Sequence, residues 1–361
     1  MTQFRTGKIL MIRLSSLGDV ILATSALSGL QKRAEFAQRY RPQVHWVVSK
    51  EYASLLKGHP GLDKLWEFDR KSGIQGWVNL CEQLWKEDFS EVYDLHSTLR
   101  SHLARGYFFM RRAVASLGAS AERKEQLSAQ IWRVIDKQRL KLYGYFFLKK
   151  LFPPSLRPTP FVARYASLVG GTGEERPDLK YLAVNSGATL PDDFQRFGQN
   201  PYLCVMPSSR WDGKKWPVRN FFEVIRKSGL PVVILGGKQE RESILLAKML
   251  EQAGISSYSG VGVFNFAQLA IVLAHSLGYL GNDTGLGHLA EAVGSRAFVL
   301  FGPTAPDMGF GPWSSASRIV SSSLWCSPCG KDGRYCFRLD NRFACQKRIL
   351  PEAVLSILPK E

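Results

Sequence analysis

No run of about 18 apolar residues occurs in the 361-residue chain, so no part of it reads as a membrane-spanning helix. Nothing at its start reads as a secretory leader either. "MTQFRTGKILMIRLSSLGDV" breaks its apolar run at Arg13 and reads as a strand entering a turn. The cytoplasm is the expected compartment. Acid is also scarce, with 31 Asp and Glu against 48 Lys and Arg, a net charge of +17. Such an excess favours an anionic partner: nucleic acid, a phosphorylated substrate or a membrane face. Nucleic acid is the weakest of these, because no recognised nucleic-acid module is present. No G-x-x-x-x-G-K-[ST] loop frames any lysine, which excludes a P-loop nucleotide hydrolase. Cysteine is sparse, at six residues. A disulfide scaffold is not expected in a large cytoplasmic chain.

What is present suffices for a folded protein. Apolar residues make up 45% of the chain and aromatics 12%, which excludes a disordered chain. The length exceeds one ordinary core and suggests two domains. Charge is unevenly spread: residues 100–150 carry twelve Lys and Arg against three acids, Glu122, Glu125 and Asp136. In the same segment "GYFFMRR" and "LYGYFFLKKLFPP" set aromatics beside cations. That mixture suits a membrane interface. It suits equally a solvated basic helix with an aromatic stripe turned inward.

Strand-like runs recur at "KILMIRL" (8–14), "VHWVVS" (44–49), "KLWEFD" (64–69) and "EVYDLH" (91–96). "DVILATSALSGLQKRAEF" and "GWVNLCEQLWKED" between them have helical spacing. This βαβ rhythm implies a parallel sheet covered on both faces. The pattern fades between 165 and 200, where "LVGGTGEERPD" is Gly-rich and polar, and a domain boundary is expected there. It resumes at "YLCVMPSS" (202–209), "PVVILGG" (231–237), "LGYLGN" (277–282), "RAFVLFG" (296–302) and "RIVSSS" (318–323), with helices between. Two open parallel sheets imply a cleft, with ligands beyond the carboxyl ends of the strands.

Three polar constellations fall at such ends. In "RLSSLGDV" (13–20), Gly18 permits a tight turn, and Ser15, Ser16 or Asp19 can cap the following helix; the same turn can aim a catalytic carboxylate into a cleft. In "PSSRWDGKKWP" (207–217), Ser208 and Ser209 can donate hydrogen bonds to phosphate, and Lys214 or Lys215 can supply charge. In "NDTGLGHLAEAVG" (282–294), Thr284 and Gly285 lie where a new helix exposes backbone N–H groups that attract phosphate. There His288 either faces a ligand or is a buried helix residue, and Asp283 either helps to bind or caps. Cys81 and Cys204 read as core. Cys326, Cys329, Cys336 and Cys345 lie in "WCSPCGKDGRYCFRLDNRFAC", whose C-x2-C could hold zinc with the two later thiols. The later spacings do not repeat the knuckle, and four reduced thiols in a late loop are the alternative.

"NDTGLGHLAEAVGSRAFVLFGPTAP" resembles the signature of glycosyltransferase family 9, the bacterial lipopolysaccharide heptosyltransferases. "ILMIRLSSLGDVILATSAL" is similar to that family's N-terminal motif. "YDLHSTLRS", "MPSSRWDGKKWP" and "VVILGGKQERE" are similar to its intervening motifs, in the same order, and many members share the "CSPC…C…C" run. The resemblance covers nearly the whole chain. It implies an α/β chain of the GT-B class, two Rossmann-like parallel-sheet domains facing each other across a cleft. The expected bounds are 1–175 for an acceptor-binding domain, 176–200 for a linker and 201–348 for a nucleotide-sugar domain. Residues 349–361 are expected to form a helix returning to the first domain.

The resemblance further implies inverting transfer of L-glycero-D-manno-heptose from ADP-heptose to the lipopolysaccharide inner core. The acceptor is then an anionic lipid A core, either Kdo–lipid A or an already heptosylated one. The enzyme would sit peripherally on the inner face of the inner membrane. No cofactor or metal is implied, the ADP-sugar being a substrate, and no convincing Asp-x-Asp pair suggests one. Asp19 matches the family's general base. Ser208, Ser209, Lys214, Glu240, Asp283, Thr284, Gly285 and His288 match donor-binding positions; Ser16, Gly18, Arg100 and Ser101 match the acceptor side. The loop from Ser209 to Lys214 is a residue longer than in some relatives, which leaves Lys214 and Lys215 both open. Two other readings stand. One is a family member moving a different nucleotide-linked sugar in envelope glycan synthesis. The other is a non-enzymatic nucleotide- or nucleic-acid-binding protein.

Overall fold

The computed structural model describes residues 7–36, 41–148, 151 and 153–359. Lys149 and Lys150 of the basic segment lie outside the described residues, as do the extreme ends of the first and last expected domains. The strands, in chain order, are β1 (Lys8–Ile12), β2 (Gln43–Ser49), β3 (Lys64–Phe68), β4 (Glu91–Asp94), β5 (Ile131–Val134), β6 (Leu203–Met206), β7 (Val232–Gly236), β8 (Ser257–Val261), β9 (Tyr279–Asn282), β10 (Ala297–Phe301) and β11 (Arg318–Ser321). They form two parallel sheets, ordered β3-β2-β1-β4-β5 and β11-β10-β9-β6-β7-β8. Each is the Rossmann-like, doubly wound arrangement expected from the sequence. The order reverses between β1 and β4 in one sheet and between β6 and β9 in the other. At those points neighbouring crossovers leave to opposite faces, and a crevice opens beyond the strand ends.

Central strands are buried on both faces, which is why "KILMI", "VVIL" and "AFVLF" read as unbroken apolar runs rather than alternating ones. The core of the first unit gathers Leu10, Ile12, Val47, Trp77, Leu84 and Phe108. The second gathers Leu203, Val205, Trp216, Phe221, Ile234 and Phe298. Two strands escaped the sequence reading. β5 is four residues of "IWRV" inside the basic segment, and β8 is "SYSGV", short of apolar residues and interrupted by glycine. The helix expected over 19–36 divides at Thr24 into Leu17–Ala23 and Ser25–Phe36. There Thr24 Oγ1 donates to Ile21 O and Ser25 Oγ lies within hydrogen-bond distance of Val162 O as well as Leu22 O.

The unit boundaries correct the expected ones. The first unit runs to Lys137 and takes back Phe161–Pro177; the second comprises Gln138–Pro160 and the chain from Asp178 onward. The helix Arg139–Leu148 belongs to the second because Leu142, Tyr145 and Phe146 pack with Ala305, Met308 and Phe310. Tyr145 Oη and Arg157 Nη1 both donate to Asp307. Residues 161–168 return to the first unit, where that helix packs on Ser25–Phe36. The expected linker, 176–200, is folded. Leu179 N donates to Ala292 O at 2.8 Å, and Phe194 makes edge-to-face contacts with Tyr202, Tyr258 and Phe264.

The final helix, Pro351–Leu355, was expected on the first domain. Instead it packs on Val218–Ser228, with Ile349, Val354 and Leu358 inside the second unit's core. Replacing Leu358 by Ala should lower the second unit's stability by about 2–3 kcal/mol through the cavity it leaves. Urea unfolding followed by tryptophan fluorescence checks this, and an unchanged midpoint would show that Leu358 adds nothing to that core.

Candidate active site

In the first unit the polar constellation lies beyond β1 and β4, the two strands that flank the order reversal. Ser16 occupies the N-cap of helix Leu17–Ala23 and Asp19 its third position. Ser16 N and Ser16 Oγ donate to Asp19 Oδ2 at 3.2 and 2.8 Å, the capping role that the sequence left open. Asp19 has a second partner that the sequence reading missed. Arg13, buried one residue beyond β1, places Nη2 2.8 Å from Asp19 Oδ1 and donates from Nη1 to Leu95 O at 2.7 Å. One carboxylate oxygen therefore faces the guanidinium and the other the cap. The Asp19 side chain keeps 24% exposure, so it stays within reach of a ligand.

Burial opposes ionisation of Asp19, but Arg13, the Ser16 hydrogen bonds and His96 outweigh it and hold the carboxyl below its usual range. His96 is pushed down to about 3, first by burial and then by Arg13, and is neutral at physiological pH. It follows β4 in a turn braced by Asp94 Oδ1, which accepts from His96 N and Ser97 N. Arg13 Nε, Asp94 Oδ2, His96 Nδ1 and Tyr165 Oη are buried atoms without a hydrogen bond. Such a concentration of unsatisfied polar atoms is uncommon in a folded interior and marks a place where a ligand can supply partners.

Arg100 and Ser101 open the helix Leu99–Ser116. Arg100 is exposed, with its guanidinium 5.7 Å from the Phe68 ring centroid. Ser101 is buried, and its hydroxyl serves the cap, accepting from Thr98 N and donating to Thr98 O. Of these two residues, only Arg100 presents its side chain to solvent. Gly18 lies half-buried in the first turn of Leu17–Ala23.

In the second unit the constellation lies beyond β6 and β9. Thr284 is the N-cap of helix Gly285–Ala292, and its side chain makes no capping bond, so the first N–H groups of that helix are left to other partners. Its Oγ1 instead pairs with Tyr279 Oη at 3.0 Å. Asp283 Oδ2 accepts from Lys214 Nζ at 2.6 Å and from Thr304 Oγ1 at 2.8 Å. Both members of the ion pair are largely shielded, at 15% and 10% side-chain exposure, so bulk water screens it little. Lys215 is occupied elsewhere, with Glu242 at 2.7 Å and Asp212 at 2.9 Å. Of the two lysines, the structure sets Lys214 against the start of the Gly285 helix.

Ser208 is buried, with Oγ 2.9 Å from Ser243 Oγ, while Ser209 is half-buried in the same loop. Glu240 stands at the N-cap of helix Arg241–Gln252 without a side-chain capping bond. Burial raises its carboxyl against the opposing effect of Gly237 and Ser208, and Oε2 is buried without a hydrogen bond. His288 is buried and stacks on Trp313 at 5.7 Å, which matches the structural alternative given for it.

Two further residues escaped the sequence reading. Buried Asn282 accepts from Trp216 N and donates to Pro207 O, tying the serine–lysine loop to β9. Buried Gln346 donates to Lys214 O at 2.7 Å. Asn282 heads a quoted motif, but its tie to the loop, like that of Gln346, forms only in the folded chain.

Among the described residues, no group of three or more His, Cys, Asp or Glu is arranged to hold a metal ion. Cys326, Cys329 and Cys336, named with Cys345 for zinc, lie near enough to act electrostatically on the Cys345 thiol, and zinc there stays an expectation. Cys345 is buried with Leu324 and Ala344, and burial pushes its thiol up to about 11. Cys336 Sγ accepts from Phe343 N. Cys326 and Cys329 border a cavity of about 860 Å³ walled by aromatic residues, among them Tyr143, Phe147 and Phe337. That cavity includes none of the residues matched to donor or acceptor.

The model of "Glycosyltransferase family 9 (heptosyltransferase)" matches residues 136–336, more than half of the chain. The chain belongs to glycosyltransferase family 9. It is a glycosyltransferase, with the two parallel-sheet units of the GT-B class. It is 28% identical over 345 residues to lipopolysaccharide heptosyltransferase 1 of Pseudomonas aeruginosa, covering 90% of this chain and 86% of that one. It is 30% identical over 329 residues to lipopolysaccharide heptosyltransferase 1 of Salmonella typhimurium, covering 84% and 92%. The solved ADP-heptose lipopolysaccharide heptosyltransferase II of Escherichia coli superposes with a TM-score of 0.64 over 97% of both chains at 18% identity, a likeness of fold.

Removing the Arg13 charge tests the electrostatics. In Arg13→Met, the Asp19 carboxyl should titrate at higher pH than in the wild type, because burial is then less opposed. Asp19's depressed pKa contributes stability above the unfolded carboxyl value, lost as pH falls through the folded one, and the variant should show less of it. Carboxyl-carbon NMR titration and acid unfolding read the two effects. An unmoved Asp19 would show that Arg13 does not set its acidity.

Proposed function

We propose that this glycosyltransferase moves L-glycero-D-manno-heptose from ADP-heptose to the lipopolysaccharide inner core, with inversion and without a metal. The relatives' names supply the sugar and the acceptor class. The observation that carries the donor assignment is the Lys214–Asp283 pair beside the uncapped start of helix Gly285–Ala292. A helix N-terminus and a held ammonium are what a departing diphosphate requires.

Inverting transfer needs an acceptor hydroxyl to attack the anomeric carbon opposite the leaving ADP. Positive charge grows on the sugar ring and negative charge on the diphosphate. Asp19 accepts the hydroxyl proton. Arg13 makes it a weak base, which suits a late proton transfer: the hydroxyl becomes acidic once its oxygen has begun to bond the cationic carbon. Arg13 also keeps the carboxylate ionised and fixed in direction. Lys214 and the Thr284–Gly285 backbone stabilise the leaving diphosphate. The Ser209 hydroxyl offers a further donor, Ser208 holding the loop through Ser243, and Glu240 offers an acceptor for a ribose hydroxyl. The unbonded polar atoms around Asp94, His96 and Tyr165 can receive acceptor hydroxyls. The acceptor is an anionic lipid core, so the enzyme works peripherally at the inner face of the inner membrane.

Asp19→Asn should leave ADP affinity unchanged in calorimetry and lower turnover by about two to four orders of magnitude; full activity would remove Asp19 from the mechanism. Lys214→Ala should weaken ADP binding by about 1.5–3 kcal/mol, the worth of a charged hydrogen bond, whereas Lys215→Ala should leave it near the wild-type value. The reverse result would transfer the role to Lys215.

A further inference from the structure

Helix Leu99–Ser116 carries apolar residues on two opposite sides. Ser101, Ala104 and Phe108 face inward, where Phe108 meets Trp85 and Trp132 edge to face, each at 5.5 Å. On the opposite side Leu99, Leu103, Met110 and Val114 recur at spacings of four, seven and four, and Leu117 extends the row. On a 3.6-residue repeat these residues form one stripe. All are exposed, from 46% at Leu103 to 85% at Leu117, and Phe109 borders them at 72%. A solvent-facing helix side is ordinarily polar, and a continuous apolar stripe marks an interaction surface.

The flanks are equally consistent. Exposed Arg100 falls to one side of the stripe, with Arg111 beside it sharing Glu82 at 3.6 Å, and exposed Arg105 falls to the other; Arg112 turns toward the core and binds Gln130, and the helix contains no acid. We propose that this helix lies in the plane of an anionic bilayer, its stripe at the acyl boundary and its arginines among lipid phosphates. No described helix is long and apolar enough to cross a membrane. A second copy of the chain is the competing occupant. Packing stripe on stripe would bring two arginine-flanked faces together with no acid on either helix, whereas anionic headgroups complement both flanks.

The helix begins five residues after β4, and Arg100 in its first turn lies close enough to His96 to depress its titration; His96 in turn acts on Asp19. A bilayer under the stripe would hold a lipid-anchored acceptor near that carboxylate. This last step rests on the function proposed above; the docking surface does not.

Sedimentation with phosphatidylglycerol–phosphatidylethanolamine vesicles and with phosphatidylcholine vesicles tests the proposal. The wild type should partition onto the anionic vesicles at least about tenfold more strongly. A triple variant, L103E/M110E/V114E, should lose that preference. It should keep wild-type transfer to a deacylated, water-soluble acceptor and lose transfer to the same core presented in vesicles. Equal partition of the wild type onto both vesicle types overturns the proposal, as does a triple variant that binds like the wild type. So does a variant that abolishes a dimer in sedimentation velocity while its vesicle binding is unchanged, which assigns the stripe to a second copy. If the triple variant lacks the wild-type thermal transition, amide hydrogen exchange of residues 99–117 in the wild-type protein decides. Exchange slowed by anionic vesicles supports docking, and unchanged exchange overturns it. A wild type that binds these vesicles but transfers heptose to neither acceptor refutes the proposed function and leaves the docking surface standing.

Discussion

A parallel sheet must be covered on both faces, and that requirement organises each unit of this protein. Strands running the same way need long crossovers, and the crossovers bring helices. The helices bury both faces, so the strands become apolar throughout, and polar residues are pushed to the strand ends. Where the order reverses, two loops that would otherwise cover the ends part company. In one unit the loops that part follow Ile12 and Asp94; in the other they follow Met206 and Asn282. Every residue with site chemistry described above follows a strand at such an end or supports one that does.

At both ends a shielded cation and a carboxylate hold each other. Arg13 fixes Asp19, and Asp283 fixes Lys214. The two pairs invert one another in place: in the first the cation follows the strand and the carboxylate lies in the helix, in the second the carboxylate follows the strand and the cation lies in a loop. Desolvating such a pair is costly and adds little net stability. Its use is direction, since each charged group is held in place by its partner and by the hydrogen bonds around it. The uncapped helix start beside Lys214 adds backbone donors to the same place without further charge.

Much of this was legible in the sequence, for reasons that differ from residue to residue. Val, Ile and Leu runs announced the strands because parallel strands leave no alternation to hide them. "SSLGDV" announced its cap because capping chemistry is local. The choice between Lys214 and Lys215 was not legible; it depends on which lysine Asp212 and Glu242 occupy, and Glu242 is 27 residues away in the chain. Arg13 stood inside a quoted motif, yet its role depends on a side chain six positions later and on the carbonyl of Leu95. The placement of residues 138–160 depends on Met308 and Phe310, which no local pattern links to them. The stripe on Leu99–Ser116 has helical spacing in the sequence, but spacing cannot say which of two apolar sides faces the core.

The loop holding Lys214 is fastened from far downstream. Gln346 binds the carbonyl of Lys214, and Ile349 O accepts the indole N–H of Trp216 at 3.0 Å. During synthesis, then, the ribosome must have released residue 349 before those two fastenings can form. A nascent chain paused at residue 340 would have made all eleven strands and still lack both ties on its lysine loop. Translation itself orders the assembly: sheets first, the lysine loop among the last parts to be made firm.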